Sequence, residues 1–220
     1  MVQPPEIEVR VPRVFCDAEG RFGNPLGVVR DGPSVPEDDR QALATHLGYS
    51  ETVFIDDAER GVFRIFTPEV ELPFAGHPTV GTAWVLAQEG REVELLRPPA
   101  GEIAVRREGD ITWVGAKPEW CPPWQLRRLD SAAAVGAEPV ATDGLHYVWA
   151  WINEAAGLVR ARCFVPEVGV EEDEATGSAA LPFAAALGRE IEVHQCEGSI
   201  LHARPAGEGY AEVGGRVVED

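Results

Sequence analysis

The sequence predicts an α+β fold of two pseudo-symmetric halves, each a strand barrel wrapped around a central buried helix. Two observations predict it: an internal repeat of strand-like segments, and two helical segments that carry no charged residue. The chain has 220 residues, of which 45% are hydrophobic and 25% charged, an ordinary balance for a globular protein of one or two domains. We divide it into halves at 1–118 and 119–220.

The repeat consists of segments that alternate apolar and polar residues, turn at a glycine, and alternate again. The first copy covers 90–95 (GREVEL) and 101–105 (GEIAV), and the second covers 188–193 (GREIEV) and 198–201 (GSIL). This alternation is typical of antiparallel strands. Because order, spacing and length agree between the copies, we expect the two halves to share one architecture.

Each copy of the repeat follows an uncharged segment of helical character, at 79–87 and at 178–187. A helix that is apolar on every side is buried rather than amphipathic. We therefore expect central helices near 77–89 and 177–187.

The remaining elements follow from periodicity and turn residues. Ser34 to Glu37 has the pattern of a capping box that opens a helix, and Gly48 is suited to end that helix. Leu43 and Leu47 would form its apolar face. The run 118–124, rich in proline and tryptophan, is the predicted linker. The predicted strands are 7–15, 25–29, 52–55, 62–66, 147–152 and 158–164.

Charge and composition exclude several classes of partner. With 37 acidic and 19 basic residues, the formal net charge is −18, and such a surface repels nucleic acid and anionic membranes. The sequence shows neither a membrane-spanning apolar run nor a signal peptide, so we expect a soluble cytoplasmic protein. The four cysteines form no pair or cysteine–histidine cluster with zinc spacing, so no metal site is expected.

Both uncharged helices begin beside glycines. Gly76 and His77 stand at the start of the first, and Gly177 and Ser178 at the start of the second. Glycine lets a ligand approach the backbone closely, and the free amides and dipole of a helix start attract a carboxylate or an oxyanion. Two facing helix starts would form an anion-binding cleft, although the same residues could form plain turns.

Ser50 and Glu51 lie between a helix end and an apolar strand. A carboxyl group beside such a strand can lose part of its solvation, which raises its pKa and suits it to proton transfer near neutral pH. The same position would also fit an exposed glutamate at the start of a strand.

Three other polar residues are candidates with structural alternatives. His77 could orient a substrate or transfer a proton, or could be a structural histidine. Asp173 could face the cleft or cap a helix. Asn24 could contact a substrate or form a turn.

Four segments taken together resemble the phenazine-biosynthesis PhzF-like family: FGNPLGVV, SETVFI, FRIFTPEVELPFAGHPTVGTA and DEATGSAA. The resemblance implies the fold of diaminopimelate epimerase, a site between the halves, and a homodimer. It also implies an isomerase that moves a proton on a small carboxylic acid without a metal or cofactor.

The resemblance assigns roles residue by residue. Glu51 matches the glutamate that shuttles the proton, and His77 and Asp173 match partners that hold the substrate and tune that glutamate. The matching substrate-binding positions are Asn24, Ser50, Gly76, Gly177 and Ser178.

Other enzymes of this fold, such as diaminopimelate epimerase and proline racemase-like enzymes, carry a cysteine at each helix start. The matching positions here are Ala75 and Thr176. We therefore expect a proton shift by one carboxylate rather than racemisation by two thiols.

Two departures from the family bear on the substrate. The chain is shorter than most of the family between 118 and 165, and Glu174 stands where a proline is common, which would add charge at the second helix start. The alternatives are a dehydratase or an amino-acid epimerase on the same fold, or a catalytically silent protein that binds a small acid.

Overall fold

The structure, a computed structural model, describes residues 7–168 and 170–220. Within these ranges the chain is an α+β protein with seventeen strands and four α-helices. The helices are α1 (Glu37–Leu47), α2 (Gly76–Gln88), α3 (Ala132–Ala137) and α4 (Gly177–Leu187). The strands are β1 (Val9–Arg10), β2 (Pro12–Cys16), β3 (Asn24–Pro25), β4 (Gly27–Val29), β5 (Thr52–Asp57), β6 (Val62–Phe66), β7 (Glu71–Leu72), β8 (Leu95–Leu96), β9 (Ile103–Glu108), β10 (Ile111–Ala116), β11 (Gln125–Arg128), β12 (His146–Asn153), β13 (Leu158–Val165), β14 (Val170–Asp173), β15 (Ile191–Gln195), β16 (Ser199–Gly207) and β17 (Tyr210–Glu219).

The two uncharged segments form the buried helices α2 and α4, as predicted. Pro78 lies in the first turn of α2, where its missing N–H costs no hydrogen bond. Gly188 ends α4 in the left-handed conformation, with φ 65°. Phe183 of α4 packs its ring against Tyr147 and Trp149, with centroid distances of 5.8 and 4.7 Å. Both helices therefore belong to the main hydrophobic core.

The strands form two sheets. One has the order β1-β4-β5-β6-β7, and the other has the path β11-β12-β13-β15-β16-β17-β10-β9-β8, with β14 paired to β13, and β2 to β17 and β3. Strand β17 pairs with both β10 and β2, so the larger sheet joins segments from both sides of residue 118. The division into two halves stays a prediction, and neither path closes into a ring within the described residues.

The predicted capping box is wrong. Ser34 lies in a short 3-10 turn, and its hydroxyl donates to the carbonyl of Asp31 at 2.6 Å. Helix α1 starts after Pro36, whose backbone is extended (ψ 141°), so Glu37 is the first helical residue and cannot close a capping box. Gly48 ends the helix with φ 72°, as predicted.

The first copy of the repeat forms less strand than the second. Residues 191–195 of the second copy form β15, whereas the matching segment 90–95 of the first copy contributes only Leu95 to the two-residue strand β8. The amide of Arg91 bonds back to the carbonyl of Leu86 at 3.0 Å, so the end of α2 occupies residues that would otherwise extend the strand.

The predicted linker is packed. Trp120 sits in a 3-10 turn, with its ring 6.2 Å from Phe74 and 6.5 Å from Tyr210. In the part of the chain that the structure describes, no helix combines the length and apolarity needed to span a membrane.

Candidate active site

The starts of α2 and α4 touch each other. A Cβ atom placed on Gly76 would lie 2.7 Å from the Cα of Gly177 and 2.9 Å from the amide nitrogen of Ser178. One on Gly177 would lie 3.1 Å from the Cα of Gly76. Only glycine allows backbone to approach backbone this closely. The two helix starts therefore face each other.

This contact concentrates free amides at one point. The first helical hydrogen bonds are those from Thr79 to the carbonyl of Ala75, and from Ala179 and Ala180 to the carbonyl of Thr176. The amides before them in each first turn have no acceptor within their helix. With two helix dipoles converging, these amides form a site suited to a carboxylate or a developing negative charge.

Glu51 comes directly before β5 and points its carboxyl group at α2. Its Oε2 atom lies 3.4 Å from Nε2 of His77, and the side chains are only 17% and 5% exposed. Both atoms are buried, and neither makes a well-oriented hydrogen bond within the described residues. Buried polar atoms in native structures usually have partners, so these two atoms are suited to bind a polar group of a ligand.

The surroundings of Glu51 raise its pKa. Burial is the largest cause, and the negative charge of Asp173 adds to it, while His77 and the nearby Ser50 hydroxyl act in the opposite direction. The Ser50 hydroxyl is buried and is not aligned for a regular hydrogen bond. The sequence left two alternatives for Glu51, a desolvated carboxyl group or an exposed one, and the structure shows the desolvated one.

Asp173, the last residue of β14, has both carboxylate oxygens occupied. Asn24 donates to Oδ1 at 2.8 Å, and the Thr176 hydroxyl donates to Oδ2 at 2.6 Å. Asp173 does not cap α4, whose N-cap residue is Thr176, without a side-chain bond to the helix. These two donors fix the plane of the carboxylate.

Asn24 of β3 is tied to the loop before α4. Besides Asp173, its side-chain nitrogen donates to the carbonyl of Ala175 at 3.0 Å. The side chain is 5% exposed. The structure thus brings Asn24 to the site through Asp173.

Glu174 is turned toward another partner. Ser199 donates to its Oε1 at 2.6 Å, and the amide of Gly23 donates to the Ser199 hydroxyl at 2.9 Å. The carboxylate that could have added charge at the start of α4 is therefore held by a hydroxyl group.

Sequence reasoning missed Gln195, which contacts the loop of Asp173 from β15. It is fully buried, and its side-chain nitrogen donates to the carbonyl of Asp173 at 2.8 Å. The signal was available: the alternation of β15 puts Gln195 on the buried face with Ile191 and Val193. A polar residue at an inward position needs a polar partner.

The sequence model of the PhzC-PhzF family, described as phenazine biosynthesis-like protein, matches residues 13–114 and 127–208. The chain belongs to this family.

Several relatives of this PhzC-PhzF protein are named isomerases. The trans-2,3-dihydro-3-hydroxyanthranilate isomerase of Pseudomonas fluorescens is 30% identical over 214 residues, which cover 78% of this chain and 76% of the relative. The protein is therefore an isomerase, and the predicted family is confirmed.

Solved structures agree with the fold of this PhzC-PhzF protein. A predicted epimerase of Pseudomonas aeruginosa has a TM-score of 0.75 and 25% identity, covering 98% of this chain and 97% of that one. A PhzF-family phenazine biosynthesis protein of Enterococcus faecalis has a TM-score of 0.73 and 21% identity, covering 96% and 95%. The predicted α+β class is thereby confirmed.

The thiols of this PhzC-PhzF protein are poorly suited to acid–base work. Burial raises the pKa of Cys16 to about 11 and that of Cys121 to about 12. Burial also raises the pKa of Cys163 and Cys196, with nearby carboxylates adding to it. Because the thiolate is the reactive form, these groups stay inert near neutral pH.

Proposed function

We propose that this isomerase shifts a proton within a small carboxylic acid, with Glu51 as the general acid and base. The observation that carries the proposal is the buried Glu51 carboxyl, with its raised pKa, 3.4 Å from Nε2 of His77 beside two facing helix starts. A catalytic group works best when its pKa lies near the working pH, and burial moves this carboxyl in that direction.

The chemistry needs no co-reactant. The Glu51 carboxylate takes a proton from one atom of the substrate, the substrate carries the resulting negative charge, and the same carboxyl returns the proton to another atom. Atoms and charge balance without an oxidant or reductant. The amides at the starts of α2 and α4 would stabilise the transient negative charge, an effect often worth several kcal/mol in enzymes (roughly 3–4 kcal/mol for one oxyanion donor).

The other proposed residues hold the substrate. His77 faces the same space as Glu51, and the charge of Asp173 acts on Glu51. A substrate carboxylate would lie at the Gly76 and Gly177 helix starts. The remaining proposed contacts are Ser50, Ser178 and, through Asp173, Asn24.

A second candidate is epimerisation or dehydration of a small acid on the same fold. The similarity to a predicted epimerase favours it, whereas the inert thiols oppose a two-thiol mechanism.

The deciding experiment is proton NMR in heavy water with a panel of small unsaturated and amino carboxylic acids, dihydro-hydroxyanthranilate among them. Wild type, Glu51→Gln and Glu69→Gln are compared, the last being the same change at an exposed carboxylate. Deuterium should enter a carbon position with wild type and Glu69→Gln only. Full exchange by Glu51→Gln would exclude the assigned role, and inversion or loss of water in the products would favour the second candidate.

Three further parts of the proposal come from the family resemblance and composition: a homodimer, a cytoplasmic location, and strand barrels wrapped around α2 and α4. Sedimentation velocity over a range of micromolar protein concentrations tests the homodimer, because a monomer at every concentration would rule the homodimer out.

A further inference from the structure

A buried chain of hydrogen bonds leads from β12 to the site. The Tyr147 hydroxyl donates to Oε1 of Gln195 at 3.3 Å, and Nε2 of Gln195 donates to the Thr176 hydroxyl at 2.8 Å. Thr176 in turn donates to Oδ2 of Asp173 at 2.6 Å. Tyr147 and Gln195 are fully buried, and Thr176 is 5% exposed.

The backbone fixes the direction of this chain. Oε1 of Gln195 also accepts from the amide of Thr176 at 3.2 Å, and its Nε2 also donates to the carbonyl of Asp173 at 2.8 Å. Flipping the side-chain amide would place nitrogen against an N–H and oxygen against a carbonyl, so only one orientation fits. Gln195 therefore donates to Thr176, and the single hydroxyl hydrogen of Thr176 is left for Asp173.

Other groups near Asp173 are engaged elsewhere or accept weakly. Glu172 is paired with Arg162 at 2.6 Å, and Glu174 with Ser199. Cys163 lies near the Thr176 hydroxyl, but a thiol is a weaker acceptor than a carboxylate.

The remaining neighbours do not compete for Oδ2 of Asp173. The Cys196 thiol contacts the backbone carbonyl of Asp173 at 3.7 Å. Asn24 holds the second carboxylate oxygen. Glu51 is the titratable group of the candidate site on which the charge of Asp173 acts, with His77 acting on Glu51 from α2.

We propose that Gln195 and Thr176 are positioning residues, which hold the Asp173 carboxylate in one orientation at the candidate site. The functional meaning rests on the proposed role of Glu51. The positioning itself can be measured in the resting protein, without a substrate.

The test follows the Glu51 carboxyl by carbon-13 NMR of glutamate-labelled protein across a pH series, with its signal assigned by its loss in Glu51→Gln. Thr176→Val removes the hydroxyl and keeps the shape, and Thr176→Ala removes it without placing a methyl group against the Gln195 amide. Thr176→Ser keeps the hydroxyl. The control is Thr82→Val, at a fully buried threonine whose hydroxyl, among the described residues, bonds only to the carbonyl of Pro78, at 2.7 Å.

Without its donor, Asp173 samples more orientations and repels the Glu51 anion less, because a like charge raises a carboxyl pKa only while it stays close. We expect the Glu51 titration to move down by about half to one pH unit in Thr176→Val or Thr176→Ala. Thr176→Ser and Thr82→Val should titrate like wild type. An unmoved titration in whichever of the two hydroxyl-free variants folds, or a serine variant that behaves like valine, would overturn the inference.

The outcome is separable from that of the proposed function. A shifted Glu51 titration in a protein that exchanges no deuterium would support the positioning role while the function failed. If the wild-type protein exchanged deuterium but the Glu51 titration did not move in the Thr176 variants, the proposed function would stand and the positioning role would fail.

Discussion

The contact between the two helix starts predicts a large effect from adding one methyl group. In Gly76→Ala, the new Cβ would lie 2.7 Å from the backbone of Gly177. The nearest atoms belong to the backbone of Gly177 and Ser178, so no side-chain rotation can relieve the clash. Ordinary contact begins near 3.4 Å, so the helix starts must separate by about 0.7 Å at the least, because repulsion rises steeply below contact distance.

This separation has two costs. Overpacking of a core typically lowers the free energy of unfolding by about 1–3 kcal/mol, and we expect the upper part of that range. A misplacement of about 1 Å at a reacting centre can slow turnover by roughly 100-fold. His77 neighbours the change and faces Glu51, so we expect a loss of that order in the rate of deuterium exchange.

Two other glycines provide graded controls. Gly177→Ala meets its nearest atoms at 3.1 Å and should be milder, whereas Gly136→Ala in α3 meets nothing within 4 Å and should be neutral or slightly stabilising. Urea unfolding measures the stability term, and heavy-water NMR measures the exchange. If Gly76→Ala matched Gly136→Ala in both assays, the close contact of the helix starts would be refuted.

Two further predictions concern titration. The folded protein raises the pKa of Glu51 above its ordinary value of 4.5, so wild type loses stability as the pH rises through this raised pKa. Glu51→Gln cannot ionise at this position and should therefore become more stable relative to wild type as the pH rises. A constant difference in urea midpoints across the pH series would contradict this. Because burial keeps the thiols protonated, iodoacetamide at neutral pH should leave exchange activity intact; rapid inactivation that tracks alkylation of one cysteine would argue for thiol chemistry.

Local pattern was enough to predict the elements that hold the site. The uncharged segments that became α2 and α4 are apolar on all sides, and burial follows directly from that. The glycines at their starts were expected to let a ligand approach the backbone, whereas in the structure the backbones of Gly76 and Gly177 approach each other. Glu51 was a candidate because its position favoured desolvation.

Contacts between segments far apart in the chain could not be predicted from the sequence. The order of the larger sheet depends on pairing between β10 and β17, and β2 joins that sheet by pairing with β17; no local period encodes either pairing. The segment 90–95 of the first copy forms little strand because the amide of Arg91 bonds to the carbonyl of Leu86 in α2. The bonds that join Asn24 and Gln195 to Asp173 connect segments 149 and 22 residues apart in sequence, so only the fold reveals them.

The pairing of β2 with β17 has a consequence for when the site first exists. Asn24 holds Asp173 from β3, which pairs with β2, and β2 pairs on its other side with residues 216–219. A ribosome-bound chain that has already exposed Glu51, His77 and Asp173 therefore still lacks β17, the strand that pairs with β2 and so holds β3 and Asn24 in place. The proposed proton transfer should therefore appear only after β17 has left the exit tunnel.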